Sequence, residues 1–219
     1  MLKDMLHKVK RKMIRAYQSR FTIQNPETCI LSDRAYIKKI YYSRMGKKIN
    51  LRNPKTFCEK ENWLKLYDRR PEYTMMADKY AVRKYIADKI GEEYLVPLLG
   101  VWDRAEDIDF EKLPQKFVLK CNHNSDVVIC TDKQSLNIEK TRKKLANQLE
   151  QDYYIRKREW PYKNITRKII CEKYMENKNG EKPIDYKVFC FNGEPKLVNS
   201  KNSSKTRSRT QAKRIKRIL

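Results

Sequence analysis

Two lysines and a short polar loop are the residues best suited to chemistry in this 219-residue chain. Lys79 opens a predicted helix and Lys120 ends a predicted strand, so folding can bring both ammonium groups onto one polyphosphate. The loop Asn122–Asp126 follows Lys120 closely and can cover phosphates with its backbone N–H groups. A later strand, Ile170–Met175, can present edge backbone groups to a flat base. The apolar walls of that base site would be Leu119, Ile170 and Met175.

The elements that must position these residues begin with helices. Residues 1–20 read as a basic amphipathic helix, because apolar side chains recur there at three- and four-residue steps. Thr56 and Glu59 form a capping box, in which each side chain satisfies a free backbone donor of the other residue. Start and stop signals predict three further helices: Ser32 to Gly46, Thr56 through Leu66, and Asp78 to Gly91.

The second half of the chain is predicted to be richer in strands. Phe117–Cys121 and Val127–Thr131 form a predicted hairpin around the polar loop, and residues 138–154 return to helix. Lys168–Met175 reads as a strand that leaves the core. A second hairpin is predicted around Asn192-Gly193, because both positions of such a turn need positive φ. This order indicates an α+β fold, with a helical N-terminal part and an antiparallel β-rich part after it.

The charge of the chain is strongly positive, with 51 Lys and Arg against 27 Asp and Glu for a net charge of +24. The ends carry much of it, since residues 201–219 contain eight basic residues and no acid. We expect residues 199–219 to be a disordered basic tail, because they have little apolar surface to bury. Specific nucleic-acid binding is disfavoured, since no zinc-finger spacing, RNP motif or basic zipper organises these charges.

Several other classes of protein are disfavoured by composition. No apolar run approaches the roughly 20 residues that cross a bilayer. The six cysteines show no C-x-x-C spacing and the chain has only two histidines, so neither a zinc site nor a disulfide scaffold is predicted. We expect a cytoplasmic protein. The basic helix of residues 1–20 either packs on its own domain or contacts the inner face of an anionic membrane.

Several ordered blocks of sequence resemble the teichuronopeptide-biosynthesis (TupA-like) ATP-grasp proteins. The resemblance covers roughly residues 30–197. The blocks that carry it are Asn53-Pro54-Lys55-Thr56-Phe57, Ala77-Asp78-Lys79-Tyr80-Ala81-Val82-Arg83, Pro97-Leu98-Leu99-Gly100-Val101-Trp102-Asp103, Phe117-Val118-Leu119-Lys120-Cys121-Asn122-His123, Arg158-Glu159-Trp160-Pro161-Tyr162, Glu172-Lys173-Tyr174-Met175 and Asp185 to Lys196.

The resemblance implies a fold, a ligand and a reaction. ATP-grasp enzymes hold ATP between two α+β subdomains, phosphorylate a carboxylate and let an amine displace the phosphate, with magnesium as the metal. By position, Lys79 and Lys120 would contact the ATP phosphates, and Lys187 would be a further phosphate contact. Glu172, Lys173 and Met175 would recognise adenine, largely through backbone groups. The expected setting is assembly of a cell-surface polysaccharide, with a substrate of that pathway as partner.

Two departures from the family pattern bear on activity. Relatives usually carry a glycine after the serine of the loop, whereas Ser125 is followed here by Asp126, whose charge opposes phosphate. The resemblance also stops near Leu197, and no carboxylate lies beyond Glu194 to hold magnesium. The sequence therefore predicts a partial ATP-grasp domain over residues 21–198, with an incomplete C-terminal subdomain, a truncated or out-of-frame ending and impaired catalysis.

Two alternatives to an ATP-dependent ligase remain open from the sequence. One is a non-catalytic accessory protein whose basic ends hold it at an anionic membrane. The other is a glycosyltransferase, for which Asp107-Ile108-Asp109 would be the metal motif, although its acidic surroundings suit a metal site poorly. His123 titrates near neutrality and is either an acid–base group or a structural loop residue.

Overall fold

A computed structural model of the chain describes residues 31–181, 183–201 and 211–214. The predicted helix of residues 1–20 lies outside the described residues. The chain divides into two compact units, Met1–Lys173 and Tyr174–Leu219, and each is described by itself. In the described residues, no helix is long and apolar enough to cross a membrane.

The first two helices begin and end where local signals predict. Helix α1 spans Asp33–Met45; the Ser32 side chain accepts a hydrogen bond from an amide of its first turn, and Gly46 ends it with φ of 68°. Helix α2 spans Phe57–Tyr67 and has both hydrogen bonds of the predicted capping box. Tyr36, Ile37, Leu51 and Leu66 form a small core between these helices.

The next helix begins later than its sequence signal. Asp78 accepts hydrogen bonds from the amides of Tyr80 and Ala81, and helix α4 then spans Val82–Ile90. Gly91, with φ of 109°, ends this helix as predicted. A short helix that the sequence did not indicate, α3, spans Glu72–Ala77 and has no side-chain cap.

A four-stranded antiparallel sheet follows, and it carries most of the candidate site. Its strands are β1 (Leu98–Trp102), β2 (Phe117–Cys121), β3 (Val127–Cys130) and β4 (Ile169–Lys173), in the order β1-β4-β2-β3. The predicted hairpin of β2 and β3 is present. Strand β4 lies between β1 and β2 and pairs with both, so the prediction that it leaves the core and offers a free edge is wrong over these residues. Pairing between strands distant in sequence decides this position.

One face of the sheet is packed and the other carries charge. Helix α5 (Ile138–Glu150) covers the packed face, where Leu145 is fully buried, and α6 (Tyr153–Lys157) follows it. Burial of a leucine of this kind contributes about 2 kcal/mol. The predicted helix over 138–154 is therefore two helices. The core on this face consists of Ala105, Ile108, Phe110, Leu113, Phe117, Leu119, Cys121, Cys130, Leu145, Ile169 and Cys171.

The second unit contains an antiparallel sheet in the order β5-β6-β7. Strands β5 (Asp185–Phe191) and β6 (Glu194–Lys201) form the predicted hairpin, with φ of 50° at Asn192 and 80° at Gly193. Strand β7 spans Gln211–Arg214 and pairs with β6. The structure differs here from the disordered tail expected over 199–219, because backbone pairing with β6 gives part of that segment a place in a sheet. Both units together are α+β, as predicted.

Candidate functional site

Lys120 and Glu172 form an ion pair on the face of the first sheet that lies opposite α5. The pairing register places Lys120 opposite Ile170 and Val118 opposite Glu172, so all of these side chains point to one face. Lys120 Nζ lies 2.5 Å from Glu172 Oε2, and the two side chains are only 19% and 12% exposed. The predicted phosphate-binding lysine is therefore held by a largely desolvated carboxylate.

Arg83 is a second cation on the same carboxylate. Its Nη1 lies 3.5 Å from Glu172 Oε1, and its Nη2 donates a 2.7 Å hydrogen bond to the Val96 carbonyl oxygen. Arg83 therefore fixes α4 to the segment before β1 and holds Glu172 from the side opposite Lys120. The sequence analysis missed this role. No local spacing signals it, since the contact joins α4 to a strand much later in the chain.

Lys79 binds the polar loop and also adds positive charge to the cluster. Its Nζ donates to the carbonyl oxygens of Asn124 at 2.5 Å and Asn122 at 3.4 Å, and its backbone N–H also donates to the Asn122 carbonyl. Burial lowers the pKa of the Lys79 amine, and the charge of Lys120 lowers it further. An anion beside these two ammonium groups would favour the charged form of Lys79 and raise its pKa again.

Asn122 fixes the loop to two separate parts of the first unit, the turn before α4 and the segment before β4. Its Nδ2 donates to Asp78 Oδ1 and to the Thr166 carbonyl, each at 2.9 Å, and its Oδ1 accepts from the Lys168 amide at 2.8 Å. The residue is fully buried, so each of these hydrogen bonds replaces one to water. The base of the loop is therefore rigid, and it holds the Lys79 side chain through the carbonyl oxygens of Asn122 and Asn124.

The tip of the loop is exposed. Ser125 and Asp126 are open to solvent, whereas Asn122, His123 and Asn124 are buried. Among the non-glycine residues that the structure describes, positive φ occurs at Arg158 and Asn192, so this tip needs no left-handed residue. The missing glycine therefore does not distort the loop.

His123 is a poor acid–base group in this loop. Its Nε2 lies 3.1 Å from the Gln151 carbonyl oxygen, which makes Nε2 the protonated nitrogen. Burial is the largest influence on the ring, and it lowers the pKa of His123, as do the charges of Arg167 and Lys79. The ring is neutral near pH 7 and anchors the loop to the end of α5.

Apolar side chains lie beside the cation cluster on the same face. Val127 is opposite Lys120, and Ile129 is opposite Val118. Val127 and Ile129 are 40% and 45% exposed. This exposed strip can take the flat ring of a ligand whose charge lies at Lys120. Of the predicted walls, Leu119 points to the packed face, and both Leu119 and Ile170 are fully buried, so neither offers surface to a base.

The remaining predicted site residues are placed as follows. Lys173 ends β4, and its amide donates to the Pro97 carbonyl at 2.9 Å, so that N–H is not free for a base. Lys173 alternates with Glu172 along the strand and points to the opposite face. Met175 and Lys187 belong to the second unit, where both are exposed. Within the first unit, the structure brings together Lys79, Lys120 and Glu172.

Potential metal ligands do not cluster in the part of the chain that the structure describes. No group of three or more His, Cys, Asp or Glu side chains that could hold an ion occurs in residues 31–181, 183–201 and 211–214. In the Asp107-Ile108-Asp109 motif, Ile108 is buried, and Asp109 pairs with Lys112 at 3.0 Å. That ion pair also lowers the pKa of the Asp109 carboxyl.

Comparison with known proteins identifies the family. The family model described as TupA-like ATPgrasp matches residues 59–207, which is more than half of the chain. The chain belongs to the TupA-like ATP-grasp family. The matched range starts and ends later than the resemblance over roughly residues 30–197. It contains the predicted site residues Lys79, Lys120, Glu172, Lys173, Met175 and Lys187. No curated protein matches the chain, and no solved structure does.

Proposed function

We propose that this TupA-like ATP-grasp protein binds ATP, with Lys79 and Lys120 contacting its phosphates. The observation that carries this proposal is the charge balance of the site. Three cations, Lys79, Arg83 and Lys120, stand against two carboxylates, Glu172 and Asp78, and burial and the charge of Lys120 disfavour the protonated form of Lys79. Phosphate oxygens supply the negative charge that such a cluster lacks.

The base of the nucleotide belongs, in this proposal, next to the exposed apolar strip of β3. For Glu172, Lys173 and Met175, the base contact that the family resemblance implies stays a prediction. The Glu172 side chain holds Lys120 and Arg83 in place. The phosphate contact of Lys187 likewise stays a prediction.

The reaction that we propose is the one expected of the family, an ATP-dependent joining of a carboxylate to an amine during assembly of a cell-surface polysaccharide. The residues of this chain would bind and orient the phosphates and shield them from water. Magnesium would enter with the nucleotide, since its phosphate oxygens are hard ligands for that ion. Support for this pathway rests on the family and not on a contact in the site.

The test is a calorimetric titration of the full chain with MgATP. We expect the wild-type chain to bind, and Lys120→Ala to abolish binding, because it removes the phosphate contact and leaves Glu172 with a single cation. Lys120→Arg keeps the charge and is expected to retain weak binding. Lys143→Ala, an exposed lysine of α5, is the matched control and is expected to bind like wild type.

Two results would contradict the proposal. The wild-type chain could fail to bind MgATP although its circular dichroism shows a folded protein. Alternatively, Lys120→Ala could bind as tightly as Lys143→Ala. Release of phosphate from ATP, measured on the same samples with and without candidate carboxylates and amines, separates binding from catalysis.

A further inference from the structure

The outward face of α1 is a second surface with a distinct chemistry. Positions 35, 38, 39 and 42 recur at steps of three and four, which places their side chains on one side of the helix. An open groove of about 710 Å³ runs along this side. Its lining residues are Ala35, Lys38, Lys39, Tyr42, Lys48 and Ile49. We call this surface the basic α1 face, and we include the neighbouring Met45 in it.

The charge of this region is uncompensated within its own stretch of sequence. Residues 34–58 contain eight basic residues and no acidic one. The carboxylate before this stretch, Asp33, is engaged on the inner side by Arg69 at 2.7 Å, by Arg158 at 3.5 Å and by the Tyr154 hydroxyl. The one after it, Glu59, accepts three backbone N–H groups at the start of α2. Both of these acids are therefore engaged by other groups of the first unit.

Large side chains that can leave water stand among these cations. Tyr42 is 57% exposed and Met45 is 47% exposed, and both lie in the last part of α1. Met45 follows Lys38 by seven residues, which is two helical turns, so it projects from the same side. Tyrosine is enriched at membrane–water interfaces, where its ring is buried and its hydroxyl stays hydrated.

We propose that the basic α1 face binds the surface of a membrane that contains anionic lipids. Lys38 and Lys48 lie at the headgroups, and Tyr42 and Met45 enter the interfacial layer between them. This proposal is independent of the nucleotide site, because it uses none of its residues. A nucleic acid is the less suitable partner, since the lining of the groove offers lysines on flexible stems and no arginine fork for bidentate phosphate contacts.

The experiment measures partitioning of the full chain onto vesicles. One set contains phosphatidylcholine with phosphatidylglycerol, and the other contains phosphatidylcholine alone. We expect binding to the anionic vesicles only, weakening as salt is added. Lys38→Glu/Lys48→Glu is expected to reduce partitioning by at least about twentyfold, because each basic residue near an anionic surface contributes about a fivefold factor.

A matched charge reversal separates this face from the net charge of the chain. Lys140→Glu/Lys143→Glu changes two exposed lysines at α5 and gives the same total charge as Lys38→Glu/Lys48→Glu. We expect it to lower partitioning only slightly. Tyr42→Ser/Met45→Ser is expected to weaken vesicle binding and to leave binding of a random-sequence oligonucleotide unchanged. Thermal unfolding confirms that each variant is folded.

Three outcomes would overturn the proposal. Equal losses in the two charge-reversed variants would mean that any basic surface of the chain suffices. Unchanged partitioning of Lys38→Glu/Lys48→Glu would place the membrane contact elsewhere. Loss of oligonucleotide binding in that variant, with vesicle binding retained, would make the face a nucleic-acid site.

Discussion

Glu172 holds two cations, Lys120 and Arg83, on one face of the sheet. Substitution of Glu172 should therefore lower the free energy of unfolding more than substitution of Lys120. Lys120→Met removes one partner, but Glu172 keeps Arg83 at 3.5 Å, so we expect a loss of about 1–2 kcal/mol in the free energy of unfolding. Glu172→Gln leaves Lys120 and Arg83 facing each other in a desolvated site. That is the loss of a buried partner, for which we expect about 3–4 kcal/mol.

The double variant gives the decisive number. In Lys120→Met/Glu172→Gln, only Arg83 has lost its carboxylate, and it retains the Val96 carbonyl oxygen at 2.7 Å. We expect a total loss of about 2 kcal/mol, which is less than Glu172→Gln alone. The two changes are therefore coupled by about 3 kcal/mol, because Lys120→Met removes a cation that Glu172→Gln alone leaves unpaired.

Urea unfolding followed by tryptophan fluorescence measures these free energies. Lys143→Met, on the exposed part of α5, is the control for replacing a lysine by methionine, and we expect a change within about 0.5 kcal/mol. The reasoning is refuted if the losses at Lys120 and Glu172 add to within about 0.5 kcal/mol. It is also refuted if Glu172→Gln costs no more than Lys120→Met.

Two further predictions concern the loop and the first helices. Asn122→Ala removes hydrogen bonds to Asp78, Thr166 and Lys168. We expect it to lower the free energy of unfolding by about 2–3 kcal/mol and to weaken MgATP binding measured by calorimetry. Asn147→Ala, at an exposed position of α5, is the control and is expected to change neither quantity. Amide hydrogen bonds from Thr56, Lys55 and Asn50 lower the pKa of Glu59 from 4.5 to about 2. The free energy of unfolding should therefore fall as the pH drops from about 4.5 towards 2, because the unfolded chain takes up that proton first, and Glu59→Gln should flatten this dependence in acid titrations monitored by circular dichroism.

Features that depend on neighbouring residues were predictable from the sequence. Ser32, Thr56 and Gly46 act through hydrogen bonds within one helical turn, and the structure confirms each of them. Asn192-Gly193 is equally local, because its turn needs two positive φ angles and nothing else in the chain decides that. The family resemblance was also readable, since it rests on the order of the blocks and not on contacts between them.

The arrangement of the site was not predictable in the same way. Lys120 and Glu172 are 52 residues apart, and only the register of β2 against β4 puts them on one face. A shift of one residue would have sent Glu172 to the packed face beside Leu119. The central position of β4 likewise depends on its pairing with β1, which precedes it by many residues and carries no signal for its partner.

Lys79 links the rigidity of the loop to the charge of the site. Its Nζ donates to the carbonyl oxygens of Asn122 and Asn124, and the same ammonium group is within the field of Lys120. An anion that binds between the two lysines favours the protonated form of Lys79, which has one N–H for each carbonyl and a third for the anion. Binding of a phosphate ligand and ordering of the loop therefore strengthen each other, since both draw on one ammonium group. The absence of a glycine is compatible with the proposed phosphate site, because the buried base holds the backbone and leaves Ser125 and Asp126 exposed at the tip.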